Sequence, residues 1–193
     1  MMAAVAANPY PGLPPFEERD SERFFGRDRE IEDVLDRLAA RRLLAVLGVS
    51  GCGKSSLVRA GVIPVLRLGM ADDLPAHFRI HIITPGNGPI QALANALGAP
   101  SDWPRDSFSL VDVARSALAP GESLLLVVDQ FEELFRFRAE SLRLDGANEA
   151  SLFVNLLLNA VDQREVPIYV LLTMRTDFLG ECAQFRGLPE ALN

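Results

Sequence analysis

The stretch that narrows the fold most sharply is Leu124-Leu125-Leu126-Val127-Val128-Asp129. Successive side chains of a strand point to opposite faces, so five apolar residues without a polar break describe a strand that meets water on neither side. Parallel sheets covered by helices on both faces are where such strands occur. Asp129 then falls at the carboxyl end of the strand, where open α/β sheets gather their sites.

The other periodicities fit the same architecture. Residues 43–47, 78–83 and 168–172 read as further strands. Helical spacing recurs between them: Ile31, Val34, Leu35 and Leu38; Ile90, Leu93 and Leu97, closed by Gly98; Leu110, Val111 and Ala114; Phe153, Leu156, Leu157 and Ala160. Ser109 and Asp112 have the spacing of a capping box, and residues 140–147 read as a polar loop. Pro64 is expected to kink or end the helix that starts near residue 56. Strands alternating with helices give an α/β, three-layer domain with a mostly parallel sheet of about four strands. Residues 1–23, with prolines at 9, 11, 14 and 15, are expected to form an extended arm, and residues 24–193 the domain.

The first strand, residues 43–47, runs into Gly48-Val49-Ser50-Gly51-Cys52-Gly53-Lys54-Ser55, which fits G-x-x-x-x-G-K-[ST], and a helical run follows. Glycines let the backbone curl until successive N–H groups point at phosphate oxygens, and the helix start adds its positive dipole end. The residues offered to phosphates are Gly48, Ser50, Gly51, Cys52, Gly53, Lys54, Ser55 and Ser56. Lys54 would reach the β- and γ-phosphates, and the Ser55 hydroxyl would bind Mg²⁺. Asp129 would hold the same ion, the pattern of a Walker B element. A carboxylate shortly after it can polarise the attacking water; Glu132 and Glu133 are both placed to do so. Arg175, after the fourth strand, would read the γ-phosphate.

Bulk properties exclude some classes. The 193 residues carry 49% hydrophobic and 23% charged residues, enough for a real core. A net charge of −7 speaks against a nucleic-acid partner. No apolar run reaches the length of a membrane span and the N-terminus lacks a basic leader, so no membrane association and a cytoplasmic location are expected. Cys52 lies inside the glycine-rich loop, which argues against a structural disulfide with Cys182. No [NT]-K-x-D guanine-reading segment follows the third strand, and no arginine lid marks a small-molecule kinase.

Six ordered motifs resemble the STAND-class P-loop NTPases, in particular the bacterial novel-STAND type often fused to WD40 repeats. They are Asn8 to Leu13 with Phe16-Glu17-Glu18; Phe24-Phe25-Gly26-Arg27 through Glu30; Gly48 to Gly61; Pro85-Gly86 with Pro89; Asp129 to Phe135; and Leu172 to Leu179. The resemblance implies ATP and Mg²⁺ as ligands, with Gly26 and Arg27 near the adenine. It also implies a switch, closed with ADP and opened by ATP to self-associate or engage protein partners, with slow hydrolysis. In relatives a fifth strand, beside the first, and a helical lid follow the sensor-1 segment. The chain ends at Asn193, so a fragment or a truncated product is expected, with the first strand left at a sheet edge. A non-catalytic remnant that acts through that edge is the alternative reading.

Overall fold

The structure, a computed structural model, describes residues 14–192 apart from 101, 105 and 141–143. Most of the expected proline-rich arm therefore lies outside the described residues.

Four parallel strands form the sheet: β1 Leu43–Gly48, β2 Phe78–Ile83, β3 Ser123–Val128 and β4 Ile168–Arg175, in the order β1-β4-β3-β2. The helices are α1 Asp28–Ala40, α2 in three consecutive pieces (Lys54–Ser56, Leu57–Val62 and Ile63–Arg67), α3 Pro89–Leu97, α4 Ser109–Ala117, α5 Glu133–Glu140, α6 Leu144–Asp162 and α7 Leu188–Leu192. Two 3-10 helices, Glu18–Arg23 and Thr176–Gln184, complete the described elements.

Every residue of β3 is buried. Its alternation divides the core in two. Leu124, Leu126 and Val128 join Ile168, Val170 and Leu172 under α3, α4 and α6, while Leu125 and Val127 join Tyr169 and Leu171 under α1 and α2. This is the two-sided burial that the unbroken apolar run requires. β1 is an outer strand, paired on one side with β4 and flanked by α1 and α7.

Four local expectations are corrected. Glu18–Arg23, expected as part of an extended arm, is a 3-10 helix with the Asp20 carboxylate accepting the Glu17 N–H at 3.0 Å. The helix after the loop does not end at Pro64, the second of the two alternatives, but continues to Arg67. Residues Leu57–Val62 are wound as a π-helix, with Ile63 N–H donating to Val58 O five residues back. The shifted register leaves Pro64 in the first turn of the final α piece, where a missing N–H breaks no bond. The capping box at Ser109 does not form: Asp106 Oδ1 accepts the Phe108 N–H (2.8 Å) and the Ser109 hydroxyl (3.3 Å), and Asp112 pairs with Arg115. Finally, α6 begins at Leu144, inside the stretch expected to be a loop.

The approach of α1 to α2 depends on Gly61. A Cβ there would lie 2.7 Å from Ile31 Cδ1 and 3.3 Å from Phe24 Cε1, closer than packed atoms allow.

Candidate nucleotide-binding site

β1 delivers the backbone into residues 49–53, and α2 takes it out at Lys54. Gly51 (φ +74°) and Gly53 (φ +89°, the residue capping α2) hold left-handed conformations that an L side chain resists. Gly48 is limited by space instead, since a Cβ on it would fall 2.5 Å from Cys52 Sγ. Lys54 Nζ donates to Gly48 O at 3.0 Å and Val49 O at 2.9 Å, and lies 4.0 Å from Cys52 Sγ. Ser50, Gly51, Gly53, Lys54, Ser55 and Ser56 all face one cleft of about 560 Å³, a volume in the range of small-molecule sites. Cys52 is exposed on the flank of the loop, where its carbonyl accepts from Arg27 Nη2 at 3.5 Å. Gly26 turns the chain just before Arg27, which also pairs with Glu30 at 2.8 Å.

Opposite the loop stand the carboxyl ends of β3 and β4. Asp129 is 2% exposed. Its Oδ1 accepts the hydroxyls of Ser55 (2.7 Å) and Thr173 (2.5 Å), and its Oδ2 accepts from Arg59 Nη2 (3.0 Å) and Nε (3.3 Å). Burial works against the Arg59 charge, but Asp129 and then Glu17 outweigh it and hold the guanidinium above its ordinary pKa. Thr173 also shapes the turn after β3. Its Oγ1 accepts the Gln130 N–H at 3.0 Å and its carbonyl accepts the Phe131 N–H at 2.9 Å. Gln130 is held there at φ +55°, the non-glycine exception among the described residues.

The structure separates the two candidate glutamates. Glu132 is 7% exposed, faces the cleft and accepts the Arg175 N–H at 3.4 Å. Glu133 instead accepts the Gly86 N–H at 3.1 Å, which ties α5 to the turn after β2. Arg175 also faces the cleft, with its guanidinium 5.7 Å above the Phe178 ring and paired with Asp177. Its Nε is buried without a hydrogen-bond partner among the described residues. Arg136 stands over the same ring at 5.8 Å and also faces the cleft.

The fold thus lines one cleft with Lys54, Ser55, Glu132 and Arg175, sets Asp129 behind it bonded to Ser55 and Thr173, and takes Glu133 elsewhere. The hydroxyl of Ser55 and the carboxylate of Asp129 are hard oxygen donors in contact, and they fit a small divalent cation that completes its shell with water and phosphate oxygens. Arg59, Thr173, Arg136 and Glu17 are the participants that motif spacing does not single out. Arg59 leaves a trace in the sequence as the one charge within Leu57–Val62.

A glycine-turned loop between an outer parallel strand and a helix, bonded to an aspartate at the end of the next strand but one, defines a P-loop NTPase core. The chain belongs to the novel STAND NTPase 1 family, whose sequence model matches residues 9–193, and it is a nucleotide-binding NTPase module of that family. Among solved structures it is similar to the ORC2 protein of Aeropyrum pernix, determined as ADPNP–ADP complexes. The identity is 15% and the TM-score 0.48, over 94% of this chain and 47% of that one. The chain spans about half the length of that protein. No helix among the described residues is long and apolar enough to cross a membrane.

Proposed function

We propose that this module binds ATP together with Mg²⁺, hydrolyses it slowly, and acts as a nucleotide-dependent switch. One observation carries the reading: Ser55 Oγ and Asp129 Oδ1 meet at 2.7 Å although 74 residues separate them. The loop and the strand ends are thereby joined into one site, with the donors of a Walker A and a Walker B element in contact.

Each residue then takes a role. The loop amides of residues 50–56 and the start of α2 bind phosphate oxygens. Lys54 exchanges the Gly48 and Val49 carbonyls for the β- and γ-phosphates. The bound cation would supply charge neutralisation between those phosphates, held through Ser55 and Asp129. Glu132 takes the proton of the attacking water, because it faces the cleft while Glu133 is engaged by Gly86. Arg175 senses the γ-phosphate; its unpartnered buried Nε supports that role. Gly26 and Arg27 flank the loop where a base would lie. As a switch, the module would favour different partner or self-association states with ADP and ATP.

The test is binding of a fluorescent ATP analogue, followed by phosphate release. Wild type is expected to bind, Lys54→Ala to lose affinity about 10- to 100-fold, and Glu132→Gln to bind normally but release no phosphate. Absence of wild-type binding would overturn the reading. Binding with no phosphate release would remove hydrolysis and leave the switch.

A further inference from the structure

The geometry points to Arg59 as a positioning residue that sets the metal-binding face of Asp129 and is itself anchored by Glu17, so that the segment before α1 governs Mg²⁺-dependent nucleotide affinity. The inference rests on the ATP–Mg²⁺ reading of the site.

A carboxylate can rotate about its terminal bond unless both oxygens are held. Here Oδ2 of Asp129 receives two N–H groups from Arg59, at 3.0 and 3.3 Å. The other oxygen is turned to the hydroxyls of Ser55 at 2.7 Å and Thr173 at 2.5 Å. Outer partners that orient a ligating carboxylate commonly set metal affinity as strongly as the ligand's own placement. Arg59 is the only cation shown paired with Asp129 among the described residues.

The guanidinium is held from its far side as well. Arg59 Nη1 donates to both oxygens of Glu17, at 2.9 and 3.1 Å. Side-chain exposure falls along the chain of contacts, from 41% at Glu17 through 22% at Arg59 to 4% at Asp129. Such a pair is therefore shielded at the aspartate and open to change at the glutamate. The segment that carries Glu17 lies along α2. The Phe16 N–H donates to Ser56 Oγ at 3.0 Å, and Glu18 pairs with Arg67 at 2.7 Å. Three successive residues of this segment thus grip α2 at 56, 59 and 67, and the middle grip reaches the metal-binding carboxylate. Displacement of the segment would release the outer side of Arg59 and loosen its hold on Oδ2 of Asp129, leaving only the Ser55 and Thr173 hydroxyls to fix the carboxylate. Linkage makes the effect reciprocal: Mg²⁺-loaded nucleotide holds the segment in place.

The experiment measures affinity for a fluorescent ATP analogue in Mg²⁺ and in EDTA, for wild type, Arg59→Ala, Arg59→Lys and Glu17→Gln. The readout is the ratio of the two affinities, which a purely structural brace would leave unchanged. Arg59→Ala is expected to lower that ratio about 10- to 100-fold with the EDTA affinity retained. Arg59→Lys keeps the charge but cannot span both carboxylates, and should recover part of the loss. Glu17→Gln should lower the ratio by a smaller factor. Equal losses in both buffers, with the ratio intact, would overturn the inference while leaving the ATP reading in place. If Arg59→Ala does not fold, Glu17→Gln decides, and an unchanged ratio there overturns the inference. Wild type that binds in neither buffer would overturn the ATP reading and this inference together.

Discussion

The two walls of the cleft are built in opposite ways. The loop wall, residues 49–54, is exposed backbone, held by left-handed glycines and by a lysine bonded to its own loop carbonyls. The strand-end wall is buried side chains, in which Asp129, Thr173 and Glu132 are each less than 10% exposed and satisfied by partners from distant parts of the chain. The loop wall is tied down by few side chains, whereas in the strand-end wall each buried polar group depends on the others. The proposed phosphate contacts thus lie on the exposed wall, and the proposed metal-binding and water-activating carboxylates on the buried one.

Substitutions can break or sharpen that contrast. The largest effect is expected from Asp129→Ala, which takes the acceptor from the Ser55 and Thr173 hydroxyls and leaves Arg59 with Glu17 alone, and should cost about 3 kcal/mol or more in urea unfolding. Lys54→Ala, on the other wall, should change stability by less than about 1 kcal/mol; equal costs at the two positions would break the contrast. Gly61→Ala should come next, at about 1–3 kcal/mol, because the added methyl presses α2 on Ile31 and Phe24. Gln130→Gly should act in the other direction. It relieves the left-handed strain at φ +55° and should stabilise by up to about 1 kcal/mol. A loss of stability there would mean that the Gln130 side chain matters more than its backbone.

The smallest effect concerns pH. Burial, and secondarily Arg79, push the His81 imidazole below its usual value of 6.5. The folded state therefore binds the proton less well than the unfolded chain. The contribution is fully present above pH 6.5 and declines as the pH falls through 6.5 towards the folded value. His81→Gln should flatten that part of the stability–pH curve, and an unchanged slope would assign it to other groups.

Much of the loop wall is legible in the sequence because it is contiguous. Gly48 to Ser55 matches a contiguous motif, and the adjacent strand and helix are marked by their own periodicities. The strand-end wall is only half legible. Asp129 is marked by the apolar run before it, but the choice between Glu132 and Glu133 depends on which way the first turn of α5 faces. Glu133 is turned to the Gly86 N–H, 47 residues earlier. Arg59 and Glu17 meet across 42 residues, a pairing with no local spacing signal. The fold class follows from alternation and burial alone. The continuation of α2 past Pro64 does not, because a π turn has no sequence period of its own to announce it.

The two walls meet at Ser55 and Asp129, and a double-mutant cycle tests that meeting most directly. Mg²⁺-dependent affinity for an ATP analogue would be measured in wild type, Ser55→Ala, Asp129→Asn and the double variant. If the pair acts as one site, the double variant should lose little more than the worse single, a coupling of about 1 kcal/mol or more. Losses that simply add would show that the two residues act independently and would contradict the shared cation site.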